Sequence, residues 1–421
     1  MTSLVVPAPR GEHGVPAAVR DVCLVSRVVA ARPLAAFSYS GAKLPPSLTA
    51  ALVAGPCATS LRSLTLVATD SVVEEAARVV AAVGPRLTRL TLLTGLYDKD
   101  PDCPPLREPD YKPLSDYLVG VGPALTKLAV SVMVLVGQPM GSLCMLDMEE
   151  RVDPFQDSAI RLLSRSLPGL EELVLSAAVD EYTLMFASSV DDQEDSLVDF
   201  SPSSEAVRES LENLLVLKRF GWHSRVDPLD TLLAFPRSLP ALRSLRLDWH
   251  EAAPFRDVFV PPLLVALSSG GAFQGLTELS LELPTRLCDF PDACGEVADV
   301  EASALPRLQR LHLSNTGTWG ATVVRALAFP SLVELHLGSA IDLVDDGGNL
   351  RARCPALRRV QLSACAVAVT GLQALSLLGV VGMTLLDCSV YPRASHPWLV
   401  SLPGVTMFGC KDDRQGKKLE K

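Results

Sequence analysis

The sequence predicts an α/β solenoid, in which short parallel strands stack side by side and helices or loops return the chain between them. A leucine pattern, seen in Leu308-Gln-Arg-Leu311-His-Leu313, recurs at 332–337 and 357–362, so that the copies start 24 and 25 residues apart. In the last four residues of each copy, polar and apolar side chains alternate, which is typical of a strand with one buried face. Strands this short do not bury that face alone, so their repetition indicates that the copies stack on each other.

The pattern defines a repeat frame, whose first, fourth and sixth positions are apolar. From Leu61 onward its spacing runs from 22 to 47 residues, so the long intervals must hold insertions. We expect these near 97–117, 137–155, 176–204 and 284–304, inside a solenoid over 19–410 that follows a flexible lead at 1–18 and precedes a charged tail at 411–421. The frames begin at Leu61, Leu87, Leu125, Leu170, Leu217, Leu242, Leu276, Leu308, Leu332 and Leu357, with weaker copies at Val380 and Leu402 and loose ones at Val19 and Leu34.

Helix signals fall between the frames, where a parallel sheet needs its crossovers. Ser71-Val-Val-Glu74 is a capping box that opens an Ala/Val-rich helix ending near Gly84. Residues 204–217, 229–235, 262–268 and 322–329 also predict helices. The segment 191–199 is acidic and polar, a composition typical of disorder.

Composition narrows the classes of function. Hydrophobic residues make up 48% of the chain and aromatic ones 5%, so the core is aliphatic. A net charge of −10 argues against a general nucleic-acid binder, which normally shows a basic field. The first ten residues lack the basic start and apolar run of a secretory signal, so we expect the ten cysteines to be thiols in the cytoplasm, with the nucleus left open.

Two stretches are uncharged and long enough to be considered as membrane spans. Residues 128–146 are interrupted by Gly137-Gln-Pro-Met-Gly141, and residues 360–386 contain several polar side chains and a repeat frame. A span needs about 20 predominantly apolar residues, so a buried strand followed by a packed helix is the better interpretation of both. We expect no membrane association.

The frame, with a proline two residues ahead at Pro306, Pro330 and Pro355, resembles the leucine-rich-repeat family. In that family the ninth position is often Asn or Cys, and here the ninth positions of the last three frames form a structural ladder of Cys365, Cys388 and Cys410. Such copies are similar to the cysteine-containing repeats of F-box/leucine-rich-repeat substrate receptors. The resemblance implies a horseshoe with strands on the concave face, helices or loops on the convex face, and a protein partner.

Candidate binding residues follow from strand alternation, because positions four and six point into the core and positions three, five and seven to the concave face. We predict a partner-binding strip here, against the alternative of a solvated face whose charges pair with one another. Trp249 lies just past its strand, at the rim, where an aromatic side chain can anchor a partner. The strip consists of Arg219, His223, Arg246, Asp248, Glu278, Glu282, Arg310, His312, Glu334, His336, Arg359 and Gln361.

Catalysis and metal binding find no support in the sequence. It contains no Gly-x-Ser-x-Gly elbow, no phosphate-binding loop with lysine and no His-Glu-x-x-His pair. His312 and His336 should be neighbours, but two imidazoles alone make a poor zinc site. We therefore expect no enzyme activity, cofactor or metal.

The hypothesis is a protein-interaction scaffold, and two alternatives stay open. The stretch Cys23-Leu-Val-Ser-Arg27 resembles the later part of an F-box, which implies a degenerate adaptor-binding subunit of a ubiquitin ligase, although 19–40 also fits a first repeat. A GTPase-activating regulator built on the same repeats is the other alternative.

Overall fold

The structure is a computed structural model, and it describes 3–6, 24–40, 44–68, 72–83, 86–94, 125–130, 143, 145–150, 161, 165, 167, 169–177, 204–224, 239–249, 272–282, 305–314, 329–338, 353–368, 372, 379–391, 404–408, 410–412 and 418–419. The chain divides into two units, Met1–Val216 (unit 1) and Leu217–Lys421 (unit 2). Each unit is built on parallel strands, as the repeat frame predicts.

In unit 1, each strand of the parallel sheet pairs with the next strand along the chain. The described strands are β1 (Ser3–Val6), β2 (Ala36–Ser40), β3 (Ser63–Ala68), β4 (Arg89–Thr94), β5 (Lys127–Val130), β6 (Met145–Glu150) and β7 (Glu172–Ala177). The described helices are α1 (residues 24–31), α2 (Pro46–Ala54), α3 (Cys57–Ser60), α4 (Val72–Val83) and α5 (Ser204–Asn213).

Unit 2 holds a parallel main sheet and a second, smaller sheet. The main-sheet strands are β8 (Arg219–Ser224), β9 (Ser244–Trp249), β10 (Glu278–Glu282), β11 (Arg310–Ser314), β12 (Glu334–Gly338), β13 (Arg359–Ser363), β15 (Gly382–Leu386) and β17 (Val405–Phe408). The second sheet contains β14 (Ala366–Ala368), β16 (Ser389–Tyr391), β18 (Cys410–Asp412) and β19 (Lys418–Leu419). A 3-10 turn, Ala272–Gly275, precedes β10.

The frame places the core as the alternation predicts. Neighbouring strands keep their frames in register, so that Leu311 lies beside Leu335 and Leu335 beside Val360. Side chains at positions four and six are at most 6% exposed in every main-sheet strand of unit 2, from Phe220 to Met407. One continuous aliphatic layer therefore lies under this sheet.

A repeated turn leads into each frame. The residue three places before the frame accepts a hydrogen bond from the first-position amide, as in Leu308 N to Leu305 O at 3.2 Å. That residue is buried and apolar in five successive turns, at Leu239, Phe273, Leu305, Phe329 and Cys354. A proline follows it in four of these turns, which suits the fixed φ of a turn's second residue.

A pair of backbone hydrogen bonds holds adjacent strands together where they begin. The amides at positions two and three both donate to one carbonyl of the preceding strand, as Val333 N and Glu334 N do to Gln309 O at 2.9 and 3.0 Å. The same pair of bonds joins β2 to β3 and β13 to β15. These bonds fix the offset between adjacent strands.

The first residues differ from the predicted flexible lead. Ser3–Val6 form β1, with Leu4 and Val6 beside Phe37 and Tyr39 of β2. Leu4 and Val6 occupy positions four and six of a frame that starts at Met1. The loose frame at Val19 was wrong, because its sixth position, Leu24, lies in α1.

Helix α1 is the crossover between β1 and β2, which places it in a first repeat. Val29 in this helix is fully buried, and the Cys57 thiol donates to Val29 O at 3.3 Å and to Arg32 O at 3.2 Å. The hydroxyls of Ser26 and Ser47 lie 3.2 Å apart. Within the F-box-like stretch Ser26 is therefore packed against α2, whereas Leu24 and Arg27 are exposed.

The expected insertion at 137–155 contains a strand of the sheet. β6 pairs with β5 and β7, with Leu146 beside Leu128 and Leu173. The sequence signal is Leu143-Cys-Met-Leu146-Asp-Met148, a frame with methionine in the sixth position. The insertions expected at 97–117 and 284–304 lie outside the described residues, as does 191–199.

The C-terminal part of unit 2 differs from a sheet covered only by helices. Ala364 and Asp387, both at position eight, have φ of 51° and turn the chain from the main sheet into β14 and β16. Short spacing explains this, because frames 22 and 23 residues apart leave little chain for a full helix. The predicted charged tail also contributes strands, since Lys418–Leu419 pair antiparallel with β18.

Two predicted helices fall within the described residues. α4 begins at Val72, one residue after Ser71 of the capping box, and α5 ends at Asn213, four residues before the predicted end at Leu217. The helices expected at 229–235 and 262–268, and at 322–329 apart from Phe329, lie outside the described residues. Helix α2 was not predicted; Pro46 in its first turn is a position that proline tolerates.

A matched pair of truncations tests this core. Leu335→Ala removes a fully buried side chain from β12, and we expect a loss of about 2–5 kcal/mol in the free energy of unfolding. Val333→Ala, two residues earlier and 38% exposed, should cost less than about 1 kcal/mol. Denaturant unfolding of the full chain measures both, and equal losses would contradict the assigned faces.

Candidate functional site

The open face of unit 2 is the surface formed by positions three, five and seven of its main-sheet strands. Parallel register puts equal positions side by side, so the face carries three rows that cross the strands. Neighbouring strands lie about 4.8 Å apart, which brings adjacent side chains in one row within contact distance. The predicted strip lies on these rows.

Arg246 and Asp248 form an ion pair within β9. Arg246 Nη2 lies 2.8 Å from Asp248 Oδ2, and Nε donates to the same oxygen at 2.9 Å. Asp248 is only 3% exposed, whereas the Arg246 side chain is 55% exposed. The hydrogen bond to Asp248 raises the pKa of Arg246. Asp248 was expected at the surface of the strip, and it instead lies buried beside the arginine that it orients.

Position three carries a row of alternating charge, Glu278, Arg310, Glu334 and Arg359. Arg310 Nη2 lies 2.9 Å from Glu278 Oε2, and Arg359 Nη1 lies 4.0 Å from Glu334 Oε2. These side chains are 38–71% exposed, so each pair contributes about 0–1 kcal/mol. The alternative of a solvated face whose charges pair with one another therefore describes part of this row.

The fifth-position row contains a stacked pair of histidines. The imidazole rings of His312 and His336 lie 3.9 Å apart between centroids and 23° from parallel. His312 Nε2 lies 2.7 Å from Ser314 Oγ, and His336 Nε2 lies 3.0 Å from Ser363 Oγ. The Gln361 amide extends the row, with Nε2 3.3 Å from His336 Nε2.

Both imidazoles are held neutral. Burial, with a smaller contribution from the neighbouring His312, lowers the pKa of His336 to about 4. Burial is also the main cause that lowers the pKa of His312, where Glu282 acts in the opposite direction. The described residues contain no cluster of three or more potential metal ligands, so the histidine pair stands without further ligands there.

The last two strands of the main sheet differ from the charged part of the face. Their three rows contain Gly382, Thr384 and Leu386 on β15, and Thr406 and Phe408 on β17. Phe408 is 58% exposed although it is a large aromatic side chain. The C-terminal end of the open face is therefore uncharged and partly apolar.

Three of the predicted residues lie at the N-terminal end of the open face. Arg219 is exposed at position three of β8. His223 lies at position seven of β8, in register with Asp248. Trp249 was expected beyond its strand, and it is the last residue of β9, paired with Ser224.

The cysteine ladder lies at the edge where the strands end. Cys365 Sγ donates to Leu337 O at 3.4 Å, and Cys388 Sγ donates to Leu362 O at 3.3 Å. Cys410 repeats this contact with Leu385 O at 3.5 Å. Each thiol thus reaches the sixth-position carbonyl of the preceding strand, which is the contact that the ninth position supplies in this kind of repeat.

Four features identify the fold. They are strands that share one leucine frame, a buried turn before the frame, parallel register between copies, and a ladder of cysteines at the ninth position. Each unit has the leucine-rich-repeat fold. No helix among the described residues has the length and apolar character to cross a bilayer.

Comparisons with known proteins give structural matches only at low sequence identity. No family model matches the sequence, and no curated protein matches it. Among solved structures, yeast Rad7 in its complex with Elc1 superposes with a TM-score of 0.43 at 16% identity, covering 92% of this chain and 77% of that one. An internalin of Listeria monocytogenes gives 0.36 at 12% identity, covering 93% and 88%. A leucine-rich-repeat protein of Leptospira interrogans gives 0.29 at 14% identity, covering 92% and 98%.

Sequence reasoning missed the apolar end of the face. Leu386 and Phe408 stand at position seven of the two weaker frames, where the other copies in unit 2 carry polar residues or glycine. Reading position seven alone along the copies would have shown the change. The sequence contained this signal, but only in two single residues and not in the repeated pattern.

The histidine pair predicts acid sensitivity of unit 2. The pKa of His336 is 6.5 when unfolded and about 4 when folded, so its contribution to stability is present above pH 6.5 and is lost as the pH falls toward 4. We expect the free energy of unfolding to drop by about 1 kcal/mol between pH 7 and pH 5 from this group, after allowing for partial exposure. His336→Gln should remove that part of the drop in denaturant unfolding at the two pH values. A wild-type slope in the variant would contradict the buried neutral imidazole.

The ladder predicts unreactive thiols in the folded protein. The pKa of Cys388 is raised to about 11, first by its hydrogen bond with Cys365 and also by burial, which leaves about one thiolate in a thousand at pH 8. We expect Cys365, Cys388 and Cys410 to resist iodoacetamide at pH 8 in native buffer and to react fully in guanidinium, as measured by peptide mass spectrometry. Rapid native labelling of Cys388 would contradict the ladder.

Proposed function

We propose that the chain is a non-catalytic scaffold that binds another protein through the open face of unit 2. The observation that carries the proposal is the contrast between the two sides of one sheet. Positions four and six are buried in an aliphatic layer, while Arg246, Arg310 and Arg359 remain more than half exposed beside them. Arginine is enriched at protein interfaces and depleted from ordinary cores.

The face is held in shape before any partner arrives. From β9 to β13 and at β15, each strand begins at paired amides bound to one carbonyl, and the last three copies end at a buried thiol bound to the preceding strand. Arg246 is fixed by the buried carboxylate of Asp248. A preformed surface loses little conformational freedom on binding, so more of its contact energy appears as affinity.

The mixed charge of the face supports a protein partner over a polyanion. Glu278 and Glu334 alternate with Arg310 and Arg359 along one row, so the row has no net field of one sign. Such a row discriminates between partners by matching charge to charge. Nucleic acid is instead favoured by a basic patch.

The finer alternatives stay predictions. The F-box-like stretch lies in α1, whose Val29 and Ser26 are buried against neighbouring helices, and this use of the helix weighs against adaptor binding through its buried side. A GTPase-activating role has no specific observation in its favour. The proposal therefore names a protein partner without a ligase or regulator assignment.

Charge reversal tests the proposal. We expect the double variant Arg310→Glu, Arg359→Glu to retain less than a tenth of the protein partner captured by the wild-type full chain from native cells, measured by quantitative mass spectrometry. The melting temperature should change by only a few degrees, because exposed ion pairs contribute about 0–1 kcal/mol each.

The matched control is Arg307→Glu, Arg358→Glu, which changes the net charge equally at two exposed arginines outside positions three, five and seven. This control should capture the same partners as the wild type. Equal capture by all three proteins would reject the open face as the binding surface.

A further inference from the structure

We propose that the C-terminal end of the open face, from Arg359 to Phe408, is the docking site, and that it takes a partner segment carrying an acidic side chain close to apolar ones. The inference deepens the proposed function and rests on it. It follows from which charged side chains of the face are already held in close ion pairs and which apolar side chains are exposed.

The arginines of the face differ in how firmly the protein itself holds them. Arg246 makes contacts of 2.8–3.2 Å with the buried carboxylate of Asp248. Arg310 pairs with Glu278 at 2.9 Å. Arg359 reaches Glu334 only at 4.0 Å, and its side chain is 71% exposed.

On the side away from Glu334, the neighbour of Arg359 among the described strands has no side chain. This neighbour in the next strand is Gly382, and a Cβ built there would lie 3.9 Å from Arg359 Cγ, in ordinary contact. Because glycine brings no side chain to this position, a ligand can reach the guanidinium from the direction of β15. An acidic side chain arriving there would form the closer ion pair that Glu334 does not supply.

The surface next to Arg359 is suited to apolar contact. β15 and β17 present threonines at position five and Leu386 and Phe408 at position seven, with Leu386 directly beside Phe408 in the register. Phe408 is 58% exposed and Thr406 is also exposed. Exposed aromatic side chains and arginines are residue types that anchor protein interfaces, and this end of the face carries both.

The register fixes the spacing that a partner must match. Arg359 and Phe408 are two strands and four frame positions apart, which is about 16 Å between backbones. An extended segment spans this distance in about five residues, and a helix in about eleven. The acidic and apolar side chains of the partner should therefore be separated by one of these intervals.

The test uses a random 12-residue peptide library displayed on phage and selected on the immobilised full chain. We expect the selected peptides to share an acidic residue and an aromatic or aliphatic one. A synthetic peptide of the consensus sequence, followed by fluorescence anisotropy, should bind Arg359→Glu and Phe408→Ser at least 10-fold more weakly than the wild type. Thr406→Glu, a change at an exposed threonine, should weaken it similarly.

Two matched controls exclude a general effect of charge or of exposed apolar surface. Arg358→Glu makes the same charge change one residue earlier. Val5→Ser removes a 69% exposed apolar side chain from β1 in unit 1. Both should bind the peptide as the wild type does, and thermal melts of all five variants should agree within a few degrees.

Other outcomes overturn the inference. If the selected peptide is weakened by Arg310→Glu but not by Arg359→Glu or Phe408→Ser, the docking site is elsewhere on the open face, and the proposed function stands. If no open-face variant affects any selected peptide and partner capture is also unchanged, both fail. If sedimentation shows wild-type dimers that Phe408→Ser dissociates, the occupant is a second copy of this chain and the proposed partner is wrong.

Discussion

The structure depends on one constraint, which is that no strand of five or six residues can bury its apolar side without the strands beside it. Leu335 is fully buried because Leu311 and Val360 flank it in register, and each of those is covered in the same way by its own neighbours. The paired amides at the start of each strand set this register. Since a one-residue slip would turn every apolar side chain to solvent, the offset between copies is strongly specified.

Most of the sheet could be predicted because the frame repeats. Leu61, Leu308 and Leu357 each stand two residues before an observed strand, as does the loose frame at Leu34. The misses have physical reasons. Methionine stands at the sixth position of β6 and valine at that of β1, and these departures from leucine disguise the pattern. The second sheet was not predicted, because its strands contain three residues or fewer and give no periodic signal.

The sequence predicted on which face of the sheet the candidate residues lie, but not which of their side chains are buried or paired. Alternation correctly placed Arg310 and His336 on one face, because it depends only on the period of a strand. It could not show that Asp248 is buried, because that burial results from side-chain packing around an ion pair. Nor could it show that Arg246 is held firmly and Arg359 loosely, because their ion-pair distances, 2.8 and 4.0 Å, depend on side-chain conformation.

The short strand β19 lies antiparallel on β18, where every other described pair in either sheet of unit 2 is parallel. By occupying this edge of β18, β19 prevents a further parallel strand from pairing with β18 there. The series of parallel pairs from β14 through β16 to β18 therefore stops at β18, and a strand added beyond it would meet β19 rather than another copy of the repeat.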